Sequence, residues 1–327
     1  MTKAESGTGA AAALPHFDVR LTPPEIGRWL PGNTGVPGFT TLAGTAPGPH
    51  VMILAITHGN EISGAIVLDR LLRADFRPAR GRLTLGFVNL TAFTRFDPRQ
   101  PTVSRFVDED LNRVWDPVLL DGPRRSSELD RAREIRPLVE TVDIVLDLHS
   151  MLWPSDPLIL SGPAEGGRHL AHCMGTPSLV VADRGHANGL RIIDHPRFTA
   201  PGATASAVLL EAGQHWDDAT LAVAHDAVAG LLRRLSMANE DVALPAAHAH
   251  AAQRDAVVTD TVIATTAQFA FVQPFRGGTV IAARDTLIAM DGTTEIRTPH
   301  DDCLLVMPSL RPSRGHTAVR LARFIAL

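Results

Sequence analysis

The side chains best suited to binding a catalytic metal are two histidines that each end an apolar run and a glutamate three residues after the first of them. His58 ends VMILAITH and precedes Glu61, and His149 ends DIVLDLH. A strand-end histidine and a glutamate in the following turn can reach one ion, because residues three apart in a helical turn are neighbours. Two imidazoles and one carboxylate are a three-ligand set of catalytic zinc sites. We predict one Zn²⁺ per chain at His58, Glu61 and His149.

The spacing between His58 and Glu61 is weak evidence for a metal site when taken alone, because an ordinary helix start with a solvated glutamate has the same pattern. It also differs from HExxH, in which both histidines are ligands and the glutamate is the base. If Glu61 binds the metal, the base must lie elsewhere. Asp147, two residues before His149, is either a hydrogen-bond partner of that ligand or a plain strand residue.

The candidate base is Glu211, which ends the apolar run AVLLE. In an apolar cleft beside a metal, such a carboxylate can take a proton from water and pass it to a leaving amine. The alternative is a strand-end residue paired with an arginine. His215, four residues later, is a candidate for a supporting position behind the ligands, because loops after such strands face the ligand crevice.

A polar stretch at residues 104–113, SRFVDEDLNR, offers cationic and amide side chains. These are Arg105, Asn112 and Arg113. A guanidinium can stabilise an oxyanion or clamp a carboxylate through two parallel bonds. The alternative is a solvated loop whose arginines pair with acidic residues of the same loop, namely Asp108, Glu109 and Asp110.

Alternating strands and helices must position these residues. Near-continuous apolar runs predict strands at 51–57, 82–89, 143–149, 178–183 and 207–213. Helices are predicted at 61–74, 126–141 and 217–235. Strands of this kind are covered on both faces, which indicates a parallel or mixed α/β sheet flanked by helices.

Changes of pattern along the chain predict four segments. Residues 1–16 form a disordered tail, 17–236 a zinc-dependent catalytic α/β domain, 237–255 a linker, and 256–327 a small all-β domain built from short runs with Gly, Pro and Asp between them. The last segment is expected to shape or cover the entrance of the site.

Composition limits the partners. The 327 residues carry a net charge of −4 without a large basic patch, so nucleic acid is not expected as a partner. No apolar stretch approaches the ~20 residues of a membrane span, and the first residues lack a signal sequence, so we expect no membrane contact and a cytoplasmic protein. Cys173 and Cys303 are predicted to be small buried hydrophobes rather than a disulfide. There is no tyrosine.

The order of four motifs, followed by a β-rich region, resembles the succinylglutamate desuccinylase/aspartoacylase family, relatives of the zinc carboxypeptidases. The motifs are HGNE, SRFVDEDLNR, DLHS and LLEAGQH. The resemblance covers most of residues 45–327. It implies a zinc carboxypeptidase-like fold, a homodimer, and zinc bound by His58, Glu61 and His149.

The resemblance also implies roles for the other candidates. Glu211 matches the general base and acid, and Arg105 the arginine that polarises the scissile carbonyl. Asn112 and Arg113 match the pair that binds a substrate carboxylate. Members of the family also use tyrosines and an arginine upstream of the glutamate; this chain has no tyrosine, and the alignment assigns neither Arg191 nor Arg197.

The predicted reaction is hydrolysis of the amide bond of an N-acyl amino acid or a related small carboxylate. A carboxypeptidase or esterase with the same site is the nearest alternative, and an open groove would favour it. A zinc-containing binding protein without catalysis is the alternative from another class. The presence of a candidate base at Glu211 favours an enzyme.

Overall fold

The computed structural model describes residues 17–238 and 251–326. The predicted tail at 1–16 lies outside these residues, as does most of the predicted linker. Seven strands precede that gap: β1 (Phe39–Ala43), β2 (Ala46–Ala55), β3 (Arg80–Phe87), β4 (Ile144–Met151), β5 (Leu158–Leu160), β6 (Leu179–Ala182) and β7 (Ser206–Gln214). Seven follow it: β8 (Arg254–Ile263), β9 (Phe269–Phe271), β10 (Val280–Ile281), β11 (Leu287–Asp291), β12 (Thr294–Arg297), β13 (Cys303–Val306) and β14 (Thr317–Ile325).

The α-helices of the described chain all lie before the gap. They are α1 (Ile62–Arg73), α2 (Leu90–Phe93), α3 (Pro117–Asp121), α4 (Ser127–Val139), α5 (Glu165–Met174), α6 (Pro196–Thr199) and α7 (Asp218–Arg234). None of the described helices has the length and apolar character needed to cross a membrane.

The main sheet has the strand order β1-β3-β2-β4-β7-β5-β6-β8-β14-β13-β10. Pairing is parallel from β3 through β2 and β4 to β7, and antiparallel at β1, β5 and β14. Apolar side chains of the central strands are buried on both faces. One face packs on α1, α5 and α7, and the other packs on α4. The structure confirms the predicted mixed α/β fold flanked by helices.

The C-terminal region is all β, as predicted, and most of it extends the main sheet. β8 pairs with β6 on one side and with β14 on the other. β9, β11 and β12 form a separate antiparallel sheet of three strands. The C-terminal strands therefore join the edge of the same sheet that carries the candidate site.

The central strands β2, β4 and β7 are parallel neighbours, so their carboxyl ends lie side by side. β2 leads into His58, while β4 contains His149 and β7 contains Glu211. His149 and Glu211 are direct partners in the ladder between β4 and β7. The carboxyl ends of parallel strands form the ligand crevice of open α/β sheets, so this topology brings the three residues together.

Candidate metal centre and active site

A strained turn delivers the first predicted ligand. Ile56, fully buried just after β2, has a φ of 51°, which is an outlier for a β-branched residue. Its carbonyl accepts a hydrogen bond from the Asn89 backbone N–H at 2.9 Å. The chain then reverses, so that His58 and Glu61 lie on the same side of the turn.

Gly59 lets the ligand turn meet a neighbouring loop closely. Its N–H donates to the carbonyl of Arg105 at 3.0 Å. A Cβ at this position would lie 2.4 Å from the carbonyl carbon of Ala92 and 2.6 Å from the carbonyl oxygen of Ser104. Glycine is therefore required for this contact, and it couples the candidate metal ligands to the Arg105 loop.

The structure brings His58, Glu61 and His149 into one buried cluster whose ligand atoms all lie within 4.8 Å of one another. His58 Nδ1 is 2.8 Å from Glu61 Oε1, and His149 Nδ1 is 2.9 Å from Glu61 Oε2. Both imidazoles therefore present the same nitrogen to the same carboxylate. This is the convergence that one small cation requires.

A second carboxylate lies behind each histidine. His58 Nε2 is 2.9 Å from Asp110 Oδ1, and His149 Nε2 is 2.6 Å from Asp147 Oδ2. Metal-binding histidines usually donate their other N–H to a carboxylate or carbonyl, which fixes the ring. Asp147 thus occupies the supporting position that its place before His149 suggests, whereas the sequence offers Asp110 only as a possible ion-pair partner within its own loop.

The charges of the cluster also fit a cation. Burial opposes ionisation of Glu61, but the adjacent His58 and His149 outweigh it and hold the pKa of this carboxyl well below its usual range. Burial likewise opposes protonation of His149, yet Asp147 and Glu61 raise its pKa well above the ordinary value. The pocket thus favours positive charge between the imidazoles and Glu61, and the donor set suits Zn²⁺.

Glu211 lies beside this cluster and is buried. The residue is 6% exposed, and its Oε2 has no partner among the described residues. Burial raises the pKa of Glu211 to about 8, opposed by His149 and Arg105 and reinforced by Glu61. A carboxyl that exchanges its proton near neutral pH is suited to general acid–base chemistry.

His215 supports the candidate ligands indirectly. Its Nδ1 is 2.8 Å from Ser150 Oγ, while the Ser150 N–H donates to Glu61 Oε2 at 3.1 Å. Burial, reinforced by Arg105 and His58, lowers the pKa of His215 to about 3. The ring is therefore neutral at physiological pH and belongs to the rear wall of the site.

The 104–113 loop is anchored by a residue that the sequence did not single out. Glu128, fully buried in α4, accepts the backbone N–H groups of Val107, Asp108 and Glu109, together with the Asn89 amide. These bonds fix the loop against the helix. Residues Arg105, Asn112 and Arg113 of the loop line the same cavity as the candidate metal ligands.

Arg105 reaches the metal cluster from this loop. Its Nη1 donates to Glu61 Oε1 at 2.9 Å, and its Nη2 lies 3.3 Å from Asp110 Oδ2. The alternative for this loop was ion pairing of its arginines with Asp108, Glu109 and Asp110, and of these three only Asp110 forms such pairs among the described residues. Asp108 instead accepts from Ser127, and Glu109 contacts Arg124 and Ser126. The Arg105 guanidinium therefore stays beside His58 and Glu61.

Asn112 and Arg113 enter the same cavity. The Asn112 amide oxygen accepts the Ile192 N–H at 3.0 Å, and its nitrogen lies 3.5 Å from His149 Nε2. Arg113 donates to the Asn112 carbonyl at 2.6 Å and lies 3.9 Å from Asp110. Burial lowers the pKa of Arg113 to about 10, and the nearby guanidiniums of Arg105, Arg320 and Arg191 contribute to this shift.

The two arginines upstream of Glu211 lie in different places. Arg191 lines the cavity but is held by Asp183 and Asp194, with four side-chain contacts of 2.6–2.9 Å. Arg197 donates to the carbonyl of Val142, away from the residues that line the cavity. Only Arg191 is near the site, and its hydrogen bonds are largely used within the protein.

All the predicted site residues line one cavity of about 570 Å³. The C-terminal region supplies part of its wall, namely Met307, Pro308, Ser309, His316, Thr317 and Arg320. Arg320 was not predicted as a site residue. The available signal was a charged side chain within the apolar run of β14, where Ala318–Ala322 are all buried.

The comparisons with known proteins agree with this geometry. The profile of the succinylglutamate desuccinylase/aspartoacylase catalytic domain matches residues 47–233. A protein from Parasynechococcus marenigrum named "Probable aspartoacylase" is 33% identical over 106 residues, 31% of this chain and 33% of that protein. That match therefore spans a third of the relative's length.

Solved structures share the fold over most of their length. A succinylglutamate desuccinylase from Vibrio cholerae superposes with a TM-score of 0.65 at 19% identity, covering 88% of this chain and 86% of that one. A succinylglutamate desuccinylase/aspartoacylase from Rhodobacter sphaeroides gives 0.64 at 18% identity, covering 88% and 89%. Since the catalytic-domain profile matches more than half of its residues, the chain belongs to the succinylglutamate desuccinylase/aspartoacylase family.

Proposed function

We propose that the protein is a zinc-dependent hydrolase that cleaves the amide bond of an N-acyl amino acid or a related small carboxylate. The observation that carries the proposal is the buried Glu211, whose Oε2 has no partner among the described residues and which lies beside the cluster of His58, Glu61 and His149. Family membership supports a hydrolase. The cavity of about 570 Å³, walled partly by the C-terminal region, favours small substrates over peptides.

The two histidines and Glu61 would hold the zinc ion, with Asp110 and Asp147 orienting the imidazoles. Zinc in such a site supplies a Lewis acid that polarises a carbonyl and makes water more acidic. The protein's own residues then supply proton transfer, charge stabilisation and substrate binding.

Glu211 takes a proton from the attacking water and gives it to the departing amine. The raised pKa suits both steps, because the carboxyl can hold or release the proton near neutral pH. Arg105 stabilises the negative charge that develops on the carbonyl oxygen. Asn112 and Arg113 bind the substrate carboxylate, which orients the amide for attack.

Replacing Glu211 by glutamine tests the proposal. Glu211→Gln preserves the shape of the side chain but replaces its ionisable carboxyl by an amide that cannot take up the proton. Turnover of N-acyl amino acids should therefore fall about 10²–10⁴-fold. Zinc content should stay at one ion per chain, measured by elemental analysis. Glu165→Gln, at an exposed glutamate in α5, is the matched control and should keep full activity.

Each alternative predicts a different result. Near-normal turnover by Glu211→Gln would refute this mechanism. A binding protein would retain the N-acyl amino acid intact in the wild type, as seen by mass spectrometry after incubation. A carboxypeptidase or esterase would hydrolyse peptides or esters in preference to N-acyl amino acids.

Location and assembly complete the proposal. We propose a cytoplasmic protein, in line with two cysteines that are both free, Cys173 and Cys303. A homodimer is proposed from the family resemblance, and sedimentation of the purified protein tests it. Neither nucleic acid nor membrane is proposed as a partner.

A further inference from the structure

Trp153 lies between two cavities. Its half-buried side chain lines the candidate site and also a surface pocket of about 360 Å³. A side chain bordered by two cavities has fewer packing partners than one in a hydrophobic core. The position of this part of the cavity wall therefore depends on the few contacts that Trp153 makes.

Backbone hydrogen bonds fix the chain before and after Trp153. The His215 N–H donates to the Met151 carbonyl at 2.9 Å, and the Gly277 N–H donates to the Pro154 carbonyl at 3.1 Å. Trp153 itself makes no hydrogen bond with another described residue, either through its backbone or through its indole N–H. The ring between these two fixed points is therefore positioned by packing.

Phe17 supplies an aromatic contact to this ring. It packs edge-on against Trp153, with the ring centroids 5.7 Å apart and an angle of 66° between the planes. Edge-to-face geometry is a favourable arrangement for two aromatic rings. Phe17 lines the surface pocket but not the candidate site. It therefore meets Trp153 outside the cavity in which a substrate would bind.

The segment that carries Phe17 is anchored on Trp216. Phe17 packs edge-on against Trp216 at 5.7 Å, and the Arg20 N–H donates to the Trp216 carbonyl at 3.2 Å. Trp216 is fully buried and donates its indole N–H to the Asn60 carbonyl at 3.0 Å. This segment precedes residues 47–233, which match the family profile. The contact with Trp153 thus comes from outside the matched catalytic domain.

We infer that Phe17 is a positioning residue, which holds Trp153 in the cavity wall so that the Trp153 ring contacts the bound substrate. The inference rests on the proposed function and adds to it a residue from outside the catalytic-domain profile. Phe17 acts through Trp153 and does not touch the substrate. Because an indole ring is largely apolar, its partner is an uncharged part of the N-acyl amino acid.

Other roles of Phe17 have different signatures. If Phe17 only stabilised the fold, its loss would lower the midpoint of unfolding and leave KM unchanged. If it acted through Trp216 and the Asn60 turn, zinc affinity would fall. If it holds Trp153, KM should rise while kcat and zinc content stay constant, because substrate binding changes and the chemical step does not.

The first experiment is a double-mutant cycle on KM, with the N-acyl amino acid that the wild type hydrolyses best. Phe17→Ala should raise KM about 3- to 10-fold, the effect of one lost aromatic pair, with kcat within about twofold of wild type. In a Trp153→Leu background, Phe17→Ala should leave KM unchanged, because the residue through which it acts is gone. Phe17→Tyr keeps the ring and should keep the wild-type KM.

Phe271→Ala is the matched control. Phe271 is also half-buried and packs edge-on against Phe269, with centroids 5.2 Å apart, in the sheet of three strands. Its replacement removes a contact of the same kind away from the residues that line the candidate site, so KM should stay at the wild-type value. Urea unfolding of every variant shows whether the fold is retained.

The second experiment reads the position of Trp153 without turnover. Loss of Phe17 should expose the Trp153 ring, so Phe17→Ala should increase the quenching of tryptophan fluorescence by acrylamide. In the Trp153→Leu background the same substitution should leave quenching unchanged. An increase that persists in this background would come from Trp216 and would refute the role of Phe17 in holding Trp153.

The outcomes separate this inference from the proposed function. An unchanged KM in Phe17→Ala, or an equal rise of KM with and without Trp153, would overturn the inference and leave the proposed hydrolase intact. Absence of hydrolysis of every N-acyl amino acid by the wild type would count against the proposed function. The quenching comparison would then still decide whether Phe17 holds Trp153.

Discussion

At the scale of single residues, the candidate metal site includes carboxylates that lie behind the histidines and are not among the candidate ligands. Asp110 contacts His58 Nε2 at 2.9 Å and also accepts the Asn112 backbone N–H at 2.9 Å. Asp110 therefore orients one candidate metal ligand and the loop that carries Arg105. The surrounding positive groups outweigh its burial and hold the pKa of Asp110 well below the usual range.

Replacing Asp110 by asparagine should weaken zinc binding. Asp110→Asn keeps the shape but removes the charge that orients His58, so zinc affinity should fall about 10- to 100-fold. Competition with a chromophoric chelator measures this. Asp97→Asn, at an aspartate paired with the exposed Arg99, is the control and should bind zinc as wild type does. An unchanged affinity in Asp110→Asn would contradict the role of Asp110.

The residues that the sequence identified best are those defined by short motifs at strand ends. His58, Glu61 and His149 fall into one cluster as their positions predicted. Asp110 and Arg320 were missed because their contacts cross between elements. Asp110 reaches a histidine 52 residues away, and Arg320 reaches the cavity only because β14 pairs with β8.

At the scale of elements, the apolar runs predicted the central strands and the long helices to within a few residues. β5 and α5 were missed for local reasons. β5 has only three residues, too short for a periodic signal, and α5 begins Glu165-Gly166-Gly167, where glycine lowers helix propensity. β7 fixes β5 through antiparallel pairing, a long-range contact that no local pattern reveals.

The packing of the ligand turn against the Arg105 loop gives a prediction at this scale. Gly59→Ala should push the two segments apart, because its Cβ would lie 2.4–2.6 Å from backbone atoms of Ala92, Phe93 and Ser104. We expect a loss of stability of about 1–3 kcal/mol, typical of overpacking, together with weaker zinc binding.

Urea unfolding and zinc titration measure the two effects of Gly59→Ala. Gly27→Ala provides the matched control, since a Cβ on Gly27 meets no atom within 4 Å. If Gly59→Ala matched this control in both measurements, close packing of the turn would not matter to the site.

At the scale of the whole molecule, β8 joins the catalytic region to the C-terminal region. It makes one ladder with β6 and another with β14. Separate unfolding of the C-terminal region would break the first ladder and expose the cavity wall. We therefore expect the two regions to unfold in one cooperative transition.

Two intrinsic probes can test this expectation. All four tryptophans lie before residue 217, while Cys303 is buried in β13. In a Cys173→Ser variant, Cys303 is the sole thiol, so its labelling reports on the C-terminal region. Tryptophan fluorescence and thiol labelling should give the same urea midpoint. Labelling that precedes the fluorescence change would show that the C-terminal region opens independently.

The two ladders of β8 also set a condition for exchanging the C-terminal segment, which carries part of the cavity wall, between relatives. Residues 254–257 form the junction with β6, from Leu179↔Arg254 to Ala182↔Val257. A donor segment that altered this register by one residue would turn its side chains to the opposite face of the sheet. Arg320 would then leave the cavity although its sequence was unchanged. A chimera must therefore keep the pairing of residues 254–257 with β6 when it takes the C-terminal part of the cavity wall from a relative.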